Sequence, residues 1–149
     1  PDDLLAGMHA AECEVQAVLD QVDVTLGDAW VRTGDFVYAG ELTVAQREPG
    51  VTADLATLEG NVIFGVTSPD APGGDEPWAT VDDDHPSVTV PITVEAARCD
   101  PHVLTEYKRT FVLAARVQVG DAEPVKVDIT AEGPAHDALA TLLEACLPD

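Results

Sequence analysis

Residues 111–130 read FVLAARVQVGDAEPVKVDIT, and this stretch decides the fold class. Phe111, Leu113, Ala115, Val117 and Val119 occupy every second position, the period of a strand with one buried face. GDAEP then supplies turn chemistry, and Val125, Val127 and Ile129 resume the alternation on the way back. So short a connection permits only an antiparallel pair, so the stretch predicts a β-hairpin.

The same period recurs on both sides. In SVTVPITVEAA (87–97), Val88, Val90, Ile92, Val94 and Ala96 share a face, while Pro91, lacking an N–H, predicts an edge position or a bulge. In FVYAGELTVAQ (36–46), Phe36, Tyr38, Leu42 and Val44 oppose Glu41 and Thr43. Val22, Val24 and Leu26 form another apolar face. VTADLATLEGNVIFGVTS (51–68) reads as two strands or one bent strand, broken at Gly60–Asn61, with Val62, Phe64 and Val66 on one side. DDLLAGMHAAEC (2–13) has the spacing of a short helix, with strand-like alternation from Cys13 onward. Residues 68–87 carry four prolines and two glycines and predict an irregular crossover. At the far end Pro134 suits a first helical turn, and Leu139, Leu142, Leu143 and Cys146 make one stripe, predicting a helix over about 134–147.

About seven strands separated by turn signals predict a mainly β protein: one immunoglobulin-like antiparallel β-sandwich spanning residues 1–149, closed by a C-terminal helix. Trp30 and Trp78 sit in turn-like surroundings, unlike the mid-strand tryptophan of antibody domains. FVYAGELTVAQREP (36–49) and FVLAARVQVGDAEP (111–124) align without a gap, which allows an internal duplication of a three-strand unit.

Charge narrows the partners. Seven basic residues face 28 acidic ones, a net −21, so DNA, RNA and anionic membrane surfaces are repelled. Only two lysines occur, Lys108 and Lys126, a bias expected of a high-GC genome or a salt-adapted proteome. Starting at Pro1, the chain reads as a mature one whose signal or lipoprotein leader has been removed, so it is expected to be secreted or held at the cell envelope. Three cysteines then suggest one bridge and one buried thiol. Cys99–Cys146 is the favoured pair, at a strand end and a helix end, where it contributes about 3 to 4 kcal/mol; Cys13–Cys146 and Cys13–Cys99 are the alternatives.

RCDPH (98–102) brings a thiol, a carboxylate and an imidazole together, yet Asp-Pro is also ordinary turn chemistry after a strand. Its acidic surroundings raise a thiol pKa, which disfavours Cys99 as a nucleophile. Asp82, Asp83, Asp84 and His85 form the candidate cation loop; calcium is the ion its carboxylates suit, although the spacing of a calcium-binding loop is missing. Arg98, His102, Lys108 and Arg109 are candidate contacts for an anion or a partner, or else balance nearby acids. No catalytic fingerprint is present, so no catalytic residue and no required cofactor are assigned.

RCDPH followed by Glu106, Lys108, Arg109 and Phe111, and later by a helix ending in Ala145–Cys146, resembles a group of small uncharacterised secreted or lipoprotein-like proteins of high-GC Gram-positive bacteria. The resemblance is specific over 98–113 and implies export and a shared fold, without a reaction. The expected role is a cell-envelope binding or interaction module whose partner is a protein or envelope component. The alternatives are a cation-dependent hydrolase using the acidic loop with His102, and a purely structural module.

Overall fold

A computed structural model describes residues 12–69, 76–100 and 109–146. In chain order the elements are a helix α1 (12–19), strands β1 (Val22–Leu26), β2 (Val31–Gly34), β3 (Val37–Gln46), β4 (Ala53–Glu59), β5 (Phe64–Thr67), β6 (Ala79–Val81), β7 (Ser87–Ala96), β8 (Val112–Val119) and β9 (Val125–Thr130), and helix α2 (Pro134–Cys146). The strands form two antiparallel sheets. A five-stranded sheet runs β1-β3-β7-β5 with β2 also paired to β3; a four-stranded sheet runs β6-β4-β8-β9.

The alternating positions build a single core from both sheets. Leu42 and Val44 of β3, Ile92 and Val94 of β7, Leu55 of β4 and Leu113, Ala115 and Val117 of β8 are all buried in it. The 111–130 hairpin forms as read, with Leu113 opposite Ile129 and Ala115 opposite Val127. Pro91 lies on β7, whose one flank pairs with β3 along Ser87–Glu95 while β5 covers the other only from Thr93 to Ala96. The Pro91 carbonyl points to that uncovered flank and accepts from Ser68 Oγ at 2.6 Å. The missing N–H points the same way, so it removes no ladder bond.

Helix α2 packs on the five-stranded sheet through Ala135, Ala138, Leu139, Leu142 and Cys146, the stripe that helical periodicity requires. Pro134 opens it, where no intrahelical N–H is needed, and Asp137 lies in the first turn. Residues 147–149 lie outside the described residues.

Several sequence expectations change. Alternation does not begin at Cys13: residues 12–19 are helical, burying Val18 and packing Leu19 on the core, and only Val22 begins the strand. Val15, Val18 and Leu19 have helical spacing, but Cys13, Val15 and Ala17 also alternate, so the stretch reads equally as a start of the strand pattern that follows. Phe36 is 44% exposed because it belongs to the β2–β3 turn rather than to β3. Val62 is equally exposed, and Ile63 takes the core position instead. The 68–87 crossover contains β6, three residues that pair with β4, so nine strands are described rather than about seven. Segments 36–49 and 111–124 do not head equivalent units. β1 and β7 both pair with β3, whereas β8 pairs with β4 and β9. Alternating strands ending in an acidic Pro turn arise independently often enough to give the match.

Candidate functional site

The strand end at 96–99 is held before any chemistry is considered. Ala96 N–H donates to Phe36 O, and the N–H groups of Ala97 and Arg98 both donate to Ile63 O, at 2.8 and 3.2 Å. Cys99 then bridges to Cys146 at an S–S distance of 2.04 Å, joining the end of β7 to the last turn of α2. Of the RCDPH motif, Arg98, Cys99 and Asp100 are exposed; His102, like Lys108, lies outside the described residues. A disulfide sulfur is not a thiolate, so Cys99 has no nucleophilic role in this state. The third cysteine differs from expectation: Cys13 is exposed on α1, not buried.

The acidic loop is built as a turn. Asp82 N–H donates to His85 O, His85 N–H donates back to Asp82 Oδ1 at 2.8 Å, and His85 Nδ1 sits 3.5 Å from the same oxygen. Asp83 turns the other way and accepts from Gly50 N–H at 2.7 Å and Gln46 Nε2 at 3.3 Å. The Gly50 hydrogen bond, with help from Gln46, holds the Asp83 carboxyl below its ordinary pKa. Asp82 and Asp83 therefore serve separate backbone turns, and Asp84 is exposed beside them. Among the described residues no three His, Cys, Asp or Glu side chains come together as a metal-ligand cluster.

Arg109 forms an ion pair with Asp128 of β9, and Arg116 forms one with Glu59 at 2.7 Å. Arg109 thus balances Asp128, an acid nineteen residues away in sequence, while Glu106 lies outside the described residues. Beside it sits a residue whose role the sequence did not disclose. Asn61 Nδ2 donates to Thr110 O at 2.9 Å and Val112 O at 3.1 Å, while its Oδ1 accepts from the N–H groups of Ile63 and Phe64, both at 2.9 Å. One side chain thereby ties the β4–β5 turn of one chain region to the start of β8 of another. Gly60 is part of the device, since a Cβ there would lie 1.9 Å from Phe64 O.

Two open concavities lie elsewhere, along the flank where the sheets end in β1 and β9. One groove of about 490 Å³ is lined by Leu19, Val24, Leu26, Val127 and Ile129, with Asp28, Asp128 and Glu132 among its polar groups. A second of the same volume continues past Val125 to Val18 of α1, with Glu14 and Glu123 in its lining. Their floor is apolar, and among the described residues no Lys or Arg lines either one. Edge pairing fixes what the flanks offer. Gly27 N–H donates to Glu41 O and Ala131 N–H donates to Phe111 O, so by alternation the backbone groups of Val24 and Leu26, and of Lys126, Asp128 and Thr130, point away from their sheets. Sequence reading missed this feature because it needs two strands about a hundred residues apart; the alternation shows each strand's apolar face but not which strands end a sheet.

No protein-family model matches the chain, and no curated protein matches it in sequence.

Proposed function

We propose that this protein is an exported binding or interaction module of the cell envelope, built on an immunoglobulin-like β-sandwich. The carrying observation is the paired grooves along β1 and β9: apolar side chains, an acidic lining and two strand edges whose outward hydrogen-bonding groups have no backbone partner among the described residues. Recognition needs this kind of surface, whereas catalysis needs convergent reactive groups, and the Asp82 and Asp83 carboxylates of the acidic loop serve turns instead.

Topology supports the immunoglobulin-like reading. With the short β2 and β6 set aside, the orders β1-β3-β7-β5 and β4-β8-β9 reproduce, strand for strand, the ABED and CFG sheets of that architecture. The Cys99–Cys146 bridge favours an oxidising compartment. It also gives two of the residues that resemble the secreted high-GC Gram-positive group a structural reason to occur together.

Photo-crosslinking tests the reading. The intact protein, carrying p-benzoylphenylalanine at Thr25 in the groove or at Asp84 on the β6–β7 turn outside it, is irradiated in its native envelope. A discrete adduct from Thr25 and none from Asp84 supports a binding module; equal labelling from both sites, or none from either, overturns it.

A further inference from the structure

We infer that the β1–β9 flank receives an extended, basic polypeptide segment, which adds to the free edge of β9 as a further strand. This rests on the binding-module reading and specifies its partner.

Three observations converge on that occupant. The first is the edge. Lys126, Asp128 and Thr130 each present an N–H and a C=O away from β8, two residues apart, the spacing at which an incoming strand forms paired bonds. The second is shape. The two grooves run end to end along β9, with Val125 in one and Val127 and Ile129 in the other. A strand seated there points alternate side chains onto Leu19, Val24 and Leu26 and the others to solvent, so an alternating segment fits and a uniformly apolar one does not.

The third is charge. Glu14, Glu123, Asp28, Asp128 and Glu132 line the two grooves, and Arg109 already neutralises Asp128. The remaining four carboxylates have no cation among the lining residues. Lysine or arginine on the solvent-facing positions of the bound strand completes them. A second copy of the chain is the obvious rival for an open edge, but each copy carries a net −21, and like charge opposes that pairing. A nucleotide or an anionic lipid meets the same repulsion.

The probe is acetyl-Lys-Val-Lys-Val-Lys-Val-Lys-amide, titrated at low salt into the oxidised full chain and followed by amide NMR. Slowed hydrogen exchange at Lys126, Asp128 and Thr130 is expected on binding. N-methylation of the peptide's alternate amides is expected to weaken it by roughly fivefold for each edge bond lost. The glutamate analogue, with Glu in place of every Lys, is expected not to bind. Thr130→Pro removes one outward N–H without touching the β8 ladder and should reduce affinity by about tenfold. Glu123→Lys with Glu132→Lys, both on exposed turns, should do the same with no backbone change and covers the case in which the proline variant misfolds. Binding that ignores N-methylation overturns strand addition, and equal affinity for the Lys and Glu peptides overturns the charge assignment. Exchange protection away from β9, or dimerisation seen by light scattering with peptide excluded, overturns the site or its occupant. A Thr25 crosslink that survives Thr130→Pro and both lysine substitutions leaves the binding module standing while this inference fails.

Discussion

Asn61 gives the most demanding test of how the fold is held. Its amide makes four hydrogen bonds of 3.1 Å or less, two given and two received, all to backbone groups and all part-buried. Asn61→Ala removes the partner of four backbone groups at once. With a net value of about 1 kcal/mol for each bond and some rescue by water at a half-exposed site, the cost is about 3 kcal/mol. Asn61→Asp is sharper because it keeps the shape. One carboxylate oxygen still accepts from Ile63 and Phe64, but the other now faces the carbonyls of Thr110 and Val112, which repel it. That environment raises the introduced carboxyl's pKa in the folded state above its unfolded value near 4. A raised folded pKa contributes stability that is fully present below the unfolded value and is lost as pH rises through the folded one. The stability gap between Asn61→Asp and the wild type should therefore be largest at pH 7, narrow as pH falls through the raised folded pKa, and be smallest below about pH 4, where a protonated oxygen can donate. Urea unfolding at a series of pH values measures both, taking variant minus wild type at each pH to cancel the other carboxylates. A loss under about 0.5 kcal/mol for Asn61→Ala, or a gap that does not narrow in acid, refutes the role assigned to this side chain.

Reducing the Cys99–Cys146 bridge, whose ends are 47 residues apart, should cost about 4 kcal/mol and lower the melting temperature by about 13 °C; a shift under 3 °C in calorimetry would contradict the staple. Thiol counting in unreduced, denatured protein should find one reactive group, Cys13. A Cβ on Gly40 would lie 2.5 Å from the Trp30 ring, which stacks there with its Nε1–H bound to Gly27 O. Gly40→Ala should therefore displace the indole, cost about 1 to 3 kcal/mol and change tryptophan fluorescence, whereas an unchanged spectrum counts against the contact. Thr57 Oγ1 is buried at the bulge in β4 without a partner among the described residues, so Thr57→Val should raise stability by about 1 kcal/mol; destabilisation in urea titration would show a missed bond. The lowered pKa of Asp83 makes its contribution present above the unfolded value and lost as pH falls through the folded one. Carboxyl NMR should place its midpoint below the ordinary aspartate range, and Asp83→Asn should move the Gly50 amide resonance.

What the sequence disclosed was local, and what it withheld depended on distance. Period-two alternation placed the core faces of β3, β7, β8 and β9, because a half-buried strand must alternate wherever it lies. The Cys99–Cys146 pairing was legible for a similar reason, since one cysteine ended a strand pattern and the other a helical stripe. Alternation could not show that the register slips where a turn intervenes, and so it assigned Val62 to the core in place of Ile63. Nor could it show that Asn61, in an ordinary Gly-Asn break, reaches carbonyls about fifty residues away. In the acidic loop the residue types alone did not show that Asp82 and Asp83 serve backbone N–H groups that a tight turn would otherwise leave unpaired.

The sheet edges differ in a way that bears on function. An open edge invites pairing with any strand, and proteins blunt it with proline, brevity or charge. On one side of this molecule β5 has four residues and β6 three, and Pro91 with Ser68 closes the flank left uncovered on β7. On the other side β9 presents six residues without proline, beside a five-residue β1. Charge is what guards that flank: Lys126 and Asp128 on β9, the carboxylates lining the grooves, and the net −21 that opposes self-pairing. Proline and brevity exclude every partner alike, but charge discriminates, because it repels acidic strands and admits basic ones. An edge that is long, open and acidic is thus protected against its own copies while staying available to a partner of opposite sign.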